Sequence, residues 1–577
     1  MQQDQNRREF VARAAALAAA GGTTGIAAGS TSGPDDRASR QNPGSPHLVQ
    51  VDPTATAVNA RTLEEAEKLA GISFTPKERD QMLRTIAEQR ELIERRIASG
   101  PLANQLAPAD IFRAKLPGVP LAPVTTAGDP WKNLPHPGPC PKESIELAFA
   151  PVWKLGQWLK RREISSVQLT ELALERLREA DPTLHCVITL TEERAMEQAR
   201  QADEEIRAGR WRGPLHGVPW GAKDLIDANG TPTTWGAAPY RERRATEDAH
   251  VVQALDQAGA VLVAKLAVGA LAYGDIWFGG TCRNPFDPEQ GSSGSSAGSA
   301  SATAAGLVPF TLGSETYGSI VSPCDRCGAS GLRPTFGRVA RNGVMALCWS
   351  MDKIGPITRS VLDSAVVLKA INGATPADPC SVSEPFHFDP AESARGLRVA
   401  FDPDWFDSGD PVLEALRRRG VELIPIGMPE IDPSPLLIPL FVESAACFEE
   451  LTRNGEDDQL EWQEDAAWPN SFRQSWFIPA IELMQASRVR RQVMETMESF
   501  MNDRFDAILS PPFTDLLLIT NSTGHPSVVL RRGFTREGRP ESVTLIGRLF
   551  DEGTLCRLGN ALEEELNVVD RRPERFA

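Results

Sequence analysis

The run Gln290-Gly-Ser-Ser-Gly-Ser-Ser-Ala-Gly-Ser-Ala300 most constrains what this chain can fold into, because it passes directly into an apolar segment, Ala302 to Leu312. A Gly/Ser tract alone reads as a flexible linker. Linkers seldom abut core with no charged flank, and the segment that follows must be buried. A phosphate-binding loop is a second reading, but the tract lacks the lysine that closes a GxxxxGK motif. The tract is therefore expected to be built into the core.

From Ile145 onward, helical and strand-like segments alternate. Leu169, Leu172, Ala173 and Leu177 fall on one helical face after the cap candidates Ser165 and Ser166. Val187 to Leu190 is strand-like, and Thr191 to Ala208 is helical and charged. Val218 to Ala222 and Ala260 to Ala264 are short apolar runs bounded by Gly or Pro, as buried strands are. This alternation predicts an α/β fold: a single large domain with a mixed, mostly parallel central sheet covered by helices on both faces. An N-terminal helical extension precedes it. There, Thr75-Pro-Lys-Glu78 supplies a cap, a first-turn proline and a capping-box glutamate for a helix running to about Ser99. The expected division is an export signal over 1–30, a flexible linker over 31–60, a helical and proline-rich extension over 61–142, and the main α/β domain over 143–577.

Composition narrows the function classes. The formal net charge is -16, whereas binding phosphates requires clustered Lys and Arg, so no nucleic-acid partner is expected. The nine cysteines are too sparse for a disulfide framework. Cys324-Asp-Arg-Cys327 has redox or zinc spacing, but no second CxxC or His pair completes a site, and buried thiols are the expectation. No metal and no cofactor are expected. Asn6-Arg7-Arg8-Glu9-Phe10 before the alanine-rich stretch Ala14 to Ala20 resembles a twin-arginine export signal. A periplasmic or extracellular location follows, without a membrane partner after export; without that signal reading it is cytoplasmic.

Three elements carry chemistry: Lys223 in GPLHGVPWGAKD, the Ser/Gly tract, and Ser319 in Gly313-Ser-Glu-Thr-Tyr-Gly-Ser-Ile. A competing reading takes Gly294-Ser-Ser296-Ala-Gly298 as the G-x-S-x-G elbow of an esterase, with His525 as a later triad member. That elbow needs a buried strand immediately before it, and Asn284-Pro-Phe-Asp-Pro-Glu-Gln290 is polar and turn-forming. The blocks NPFDPEQGSSGSSAGSASATAAG and LGSETYGSIVSPCDRCGASGLRPTFGRV, with GPLHGVPWGAKDLID upstream and SMDKIGPITRSVLDSA downstream, resemble the amidase signature family over roughly residues 143 to 570.

The resemblance implies a Ser-cisSer-Lys triad. By motif register the nucleophile is Ser319, the bridging serine after a cis peptide is Ser295, and the base is Lys223. The backbone N–H groups of Thr316, Tyr317, Gly318 and Ser319 are then the oxyanion hole. The family more often has Asp-x-Gly-Gly-Ser at this turn, where the chain carries Glu315 and Tyr317. Ser296 and Ser299 become structural hydroxyls, as do His216 and His525 structural imidazoles, and Asp224 a hydrogen-bond acceptor rather than an acid.

The residue types fit amide cleavage. A serine hydroxyl needs a base in contact. Lysine serves only when neutral, and lowering its pKa of about 10.4 by ~3 units requires roughly 4 kcal/mol of selective destabilisation of the ammonium, which burial supplies. The expected function is hydrolysis of a small-molecule amide through a serine acyl-enzyme, with oligomeric state left open. Family members also serve as the glutaminase component of tRNA-dependent amidotransferases, which is the alternative role. Pro429 to Trp476 breaks the α/β rhythm and is expected to cover the site; Trp462, Trp468, Trp476 and Phe477 suggest an apolar or aromatic acyl group.

Overall fold

The computed structural model describes residues 58–83, 86, 103–105, 112–118, 121, 133–501 and 504–577. The expected export signal, and the expected linker up to residue 57, lie outside the described residues. So does most of the helix expected after Thr75. Its start is described: Glu78 Oε2 accepts the Thr75 N–H at 2.7 Å, and the helix Pro76–Leu83 follows.

Among the described residues, eleven strands form one sheet. From edge to edge these are Val187–Leu190, Val261–Leu266, Pro219–Lys223, Phe310–Glu315, Lys353–Thr358, Ser330–Arg333, Ser527–Phe534, Pro540–Gly547, Ala507–Ser510, Arg398–Phe401 and Glu422–Pro425. Helices pack around it. The sheet is mixed, but mostly antiparallel rather than mostly parallel: six neighbour pairs run antiparallel and four parallel. Parallel pairing needs a crossover of a dozen or so residues. Helix–strand alternation supplies such crossovers around Pro219–Lys223 and Arg398–Phe401, where the parallel pairs sit. At the centre, connections such as Thr535 to Arg539 are too short for anything but an antiparallel neighbour.

The strand Val261–Leu266 shows why its sequence is a continuous apolar run. Leu262 packs into one apolar cluster with Trp220 and Phe310, while Val261 and Val263 pack into a second with Leu174 and Ala195. A strand covered on both faces has no solvent side to make polar. The helix Ser166–Leu184 begins where its cap predicts, with Ser165 Oγ accepting the Gln168 N–H at 3.1 Å. Leu169, Ala173 and Leu177 are buried; Leu172 is half-buried and Leu174 takes the inner position.

The Ser/Gly tract is core. The helix Ala297–Ala304 that grows from it is buried along its whole length. Small residues permit that approach: the Gly298 N–H donates to Ala267 O at 2.8 Å, and a Cβ on Gly298 would fall 2.4 Å from Cys186 O and 2.5 Å from Ala267 N. Both obstacles are backbone and cannot rotate away. Gly298→Ala is expected to lower stability by about 1–3 kcal/mol, the usual cost of overpacking a filled core. Urea unfolding measures it; an unchanged midpoint would show that the helix shifts freely.

Candidate active site

Lys223 ends the fully buried strand Pro219–Lys223 and has no solvent exposure. Its Nζ lies 2.8 Å from Ser295 Oγ, 2.9 Å from Ser314 Oγ and 3.3 Å from the Ser314 carbonyl. Its three partners are all uncharged oxygens. Burial pushes the amine down to about 7 against the opposing pull of the Asp352 and Glu315 charges. The neighbouring Asp224 is engaged elsewhere. Its carboxylate accepts from Lys265 Nζ at 2.8 Å and from the Thr234 N–H at 2.8 Å, the acceptor role expected of it.

Ser295 follows a cis peptide bond from Gly294. The chain there runs against Gly274, whose carbonyl oxygen would lie 1.7 Å from a Cβ at position 294, so only glycine fits. Asp275 Oδ2 accepts the Ser293 N–H at 2.8 Å, and Ser293 Oγ pairs with Ser322 Oγ at 2.7 Å. Ser296 points its hydroxyl to the Ser314 carbonyl at 3.1 Å and receives the Ser314 N–H at 3.2 Å. Ser299 donates to Leu312 O at 3.1 Å. These two hydroxyls tie the tract to the strand Phe310–Glu315. The strand before them, Asp287–Gly291, belongs to a two-stranded hairpin, not to the central sheet, so the strand context of a nucleophile elbow is missing.

Ser319 stands on the turn between the strand Phe310–Glu315 and the helix Val321–Cys327. Its carbonyl accepts the Ser296 N–H at 3.1 Å, which joins this turn to the Ser295 segment. Gly318 adopts φ 85°, and its carbonyl receives the Ser322 N–H at 2.7 Å. Glu315 fixes the turn from beneath. One carboxylate oxygen accepts the Ile320 and Val321 N–H groups at 2.8 and 2.9 Å, the other accepts from Arg333 and Asn521, both at 2.8 Å. Burial alone would raise this carboxyl; the Arg333 charge and these hydrogen bonds overcome it and hold the group down at about 2. Thr316 sends its hydroxyl to Asp352 at 2.6 Å.

The amidase family model matches residues 168–516. The chain belongs to the amidase family. A glutamyl-tRNA(Gln) amidotransferase component from Chloroflexus aggregans is 32% identical over 74% of this chain and 99% of its own length. The putative amidase AmiD of Mycobacterium tuberculosis is 35% identical over 72% of this chain and 94% of its own length. Among solved structures, the native peptide amidase of Stenotrophomonas maltophilia is 28% identical, with a TM-score of 0.66 and coverage of 75% of this chain and 99% of that one.

Within this amidase-family site, sequence reasoning missed several partners. Ser314 contributes both hydroxyl and carbonyl to the Lys223 amine, and Asp352 and Asn521 arrive from elements far along the chain. No local signal marks Ser314, because its partner Lys223 lies 91 residues away in the chain. His525 is buried on Thr523 Oγ1 at 2.7 Å, with burial and Arg333 holding it down at about 3. His216 receives the Arg212 N–H at 3.0 Å, and burial lowers it to about 4.

A cavity of about 620 Å³ reaches Ser314, Thr316 and Asp352, although neither Ser295 nor Ser319 is among its lining residues. The Trp462 and Trp468 rings pack at a tilt against Tyr273, with centroids 5.0 Å apart in each pair. Trp462, Trp468, Trp476 and Phe477, read as suggesting an apolar or aromatic acyl group, are all outside the lining of that cavity, and Trp476 and Phe477 are 45% and 61% exposed.

Removing the Glu315 charge leaves the Arg333 guanidinium buried without a counter-ion, and breaking a buried pair costs about 3–5 kcal/mol. Glu315→Gln is expected to lose that much stability by chemical denaturation at pH 7, and the difference from wild type is expected to shrink as pH falls from above 4 towards 2, where the wild-type carboxylate itself takes up a proton. A constant difference across that range would contradict the assignment.

Proposed function

We propose that this chain hydrolyses a carboxylic amide C–N bond through an acyl-enzyme on Ser319. The single observation that carries the reading is the buried Lys223 amine, pushed down to about 7 and 2.8 Å from Ser295 Oγ. Once neutral, that amine has two N–H bonds for the Ser314 hydroxyl and carbonyl, and one lone pair for the Ser295 proton. Ser295 in turn accepts the Ser319 proton as Ser319 Oγ bonds to the substrate carbonyl carbon. The developing oxyanion faces backbone N–H groups of the Thr316–Ser319 turn, where a lost donor typically costs about 2.7–4 kcal/mol.

The proton then runs back. As the C–N bond breaks, the relay protonates the departing ammonia or amine, and an ester remains on Ser319. Water adds to that ester, giving its proton to the same relay, and the carboxylic acid leaves with Ser319 restored. The substrate is a small-molecule linear amide. The Arg7–Arg8 leader resembles an export signal and supports action outside the cytoplasm, whereas the relatives named as amidotransferase components support a glutaminase role as the second reading.

Ser319→Ala and Lys223→Met are each expected to lower kcat by at least about 10³-fold, as loss of a nucleophile or its base does. In wild type, kcat/KM is expected to rise with pH through a limb near 7, because the base must shed its proton before it works. Amide hydrolysis followed by ammonia or amine release checks both. If Ser296→Ala abolished turnover while Ser319→Ala did not, an esterase-like elbow would replace this assignment.

A further inference from the structure

The cavity beside Ser314 and Thr316 has a wall that the family match does not contain. That match begins at residue 168, yet Asn104 and Gln105 line the cavity. Asn104 is fastened there. Its Nδ2 donates to the Ala346 carbonyl at 2.9 Å and to the Cys447 carbonyl at 3.4 Å, while its Oδ1 accepts the Ala346 N–H at 2.7 Å. Its backbone carbonyl accepts the Trp349 indole N–H at 3.0 Å. One asparagine thereby saturates the backbone of a lining residue on one side and reaches across to the segment around Cys447 on the other.

The next residue continues the wall. Gln105 Nε2 lies 3.4 Å from Asp227 Oδ2, and Asp227 is held by Arg243 through two bonds of 2.7 and 3.0 Å. Phe112 is held separately, its ring 3.5 Å from the Arg490 guanidinium and 5.0 Å from the Phe336 ring. The hydrogen bonds of Asn104 hold that residue itself against the cavity lining.

We propose that Asn104 and Gln105 form a specificity wall for the amide substrate, and that the substrate class is a bulky amide with an extended, hydrogen-bonding part, not a minimal primary amide. This rests on the Ser319 chemistry above. The volume fits: a cavity of about 620 Å³ encloses far more than a two- or three-carbon amide, and pockets of roughly 300–1,000 Å³ hold drug-sized ligands. The lining fits too, since Trp349 offers an apolar face beside the polar Asn104, Asp227 and Asp352. Asn104 is a positioning residue: it acts through the wall it holds in place.

The test compares propionamide with an anilide of a long polar acyl chain, using the full chain carrying Asn104→Ala, Asn104→Asp or Gln105→Ala. Asn104→Ala is expected to lower the ratio of kcat/KM for the anilide over propionamide about tenfold, chiefly through KM, the loss of one or two hydrogen bonds' worth of positioning. Asn104→Asp, which still accepts the Ala346 N–H, is expected to recover part of it. Gln105→Ala, at an exposed side chain, is expected to lower the ratio a few-fold and decides the matter if the Asn104 variants fail to fold. An unchanged ratio in variants that unfold at the wild-type temperature overturns the wall, as does an equal loss for both substrates. Retained hydrolysis in Ser319→Ala overturns instead the chemistry beneath it.

Discussion

A lysine side chain taken wholly out of water must find a counter-charge or give up its proton. Among the described residues the sheet holds three such lysines, and their surroundings separate their fates. Lys265 meets the Asp224 carboxylate at 2.8 Å and is the cation of a buried pair. Lys353 meets the backbone carbonyls of Met351 and Asn521, which have no proton to hand on. Lys223 is bonded to two serine hydroxyls, at 2.8 and 2.9 Å, with no carboxylate among these partners, and a hydroxyl is a group that can exchange a proton with an amine. The proposed chemistry grows from that difference in neighbours.

Holding the amine in place is a task for the whole sheet. The strand Pro219–Lys223 lies between two parallel neighbours, one of which carries Ser314 into contact. That neighbour ends at Glu315, whose carboxylate gathers the N–H groups of Ile320 and Val321 and so shapes the turn bearing Ser319. Arg333 links the same carboxylate to Thr520 and the His525 carbonyl, each within 2.9 Å. Lys223, Ser295 and the turn bearing Ser319 are therefore tied to neighbouring strands, and rigid elements hold geometry better than loops do.

The sequence made legible whatever local chemistry dictates. Ser165 caps a helix because its hydroxyl can reach the Gln168 N–H, and Val261 to Leu266 reads as a buried strand because both its faces are covered. Glu315 stands where the family more often has aspartate, and the longer side chain still reaches both N–H groups of the turn. Strand direction was not legible, since it follows from connection length and not from the strands' own residues. Nor were Ser314, Asp352 and Asn104, whose partners come together only on folding; Asn104 and Ala346 are 242 residues apart. The exposure of Trp476 and Phe477 was not legible either, because an aromatic side chain reads the same whether it faces a pocket or solvent.

The most direct test is the ionisation of Lys223 itself. Lysine labelled with ¹³C at the ε-carbon, with Lys223→Met to assign the resonance, follows the amine as pH is raised. Deprotonation is predicted near 7, about three units below an exposed lysine. An amine that stays charged to about pH 9 or above contradicts the proposed relay, because an ammonium cannot take the serine proton.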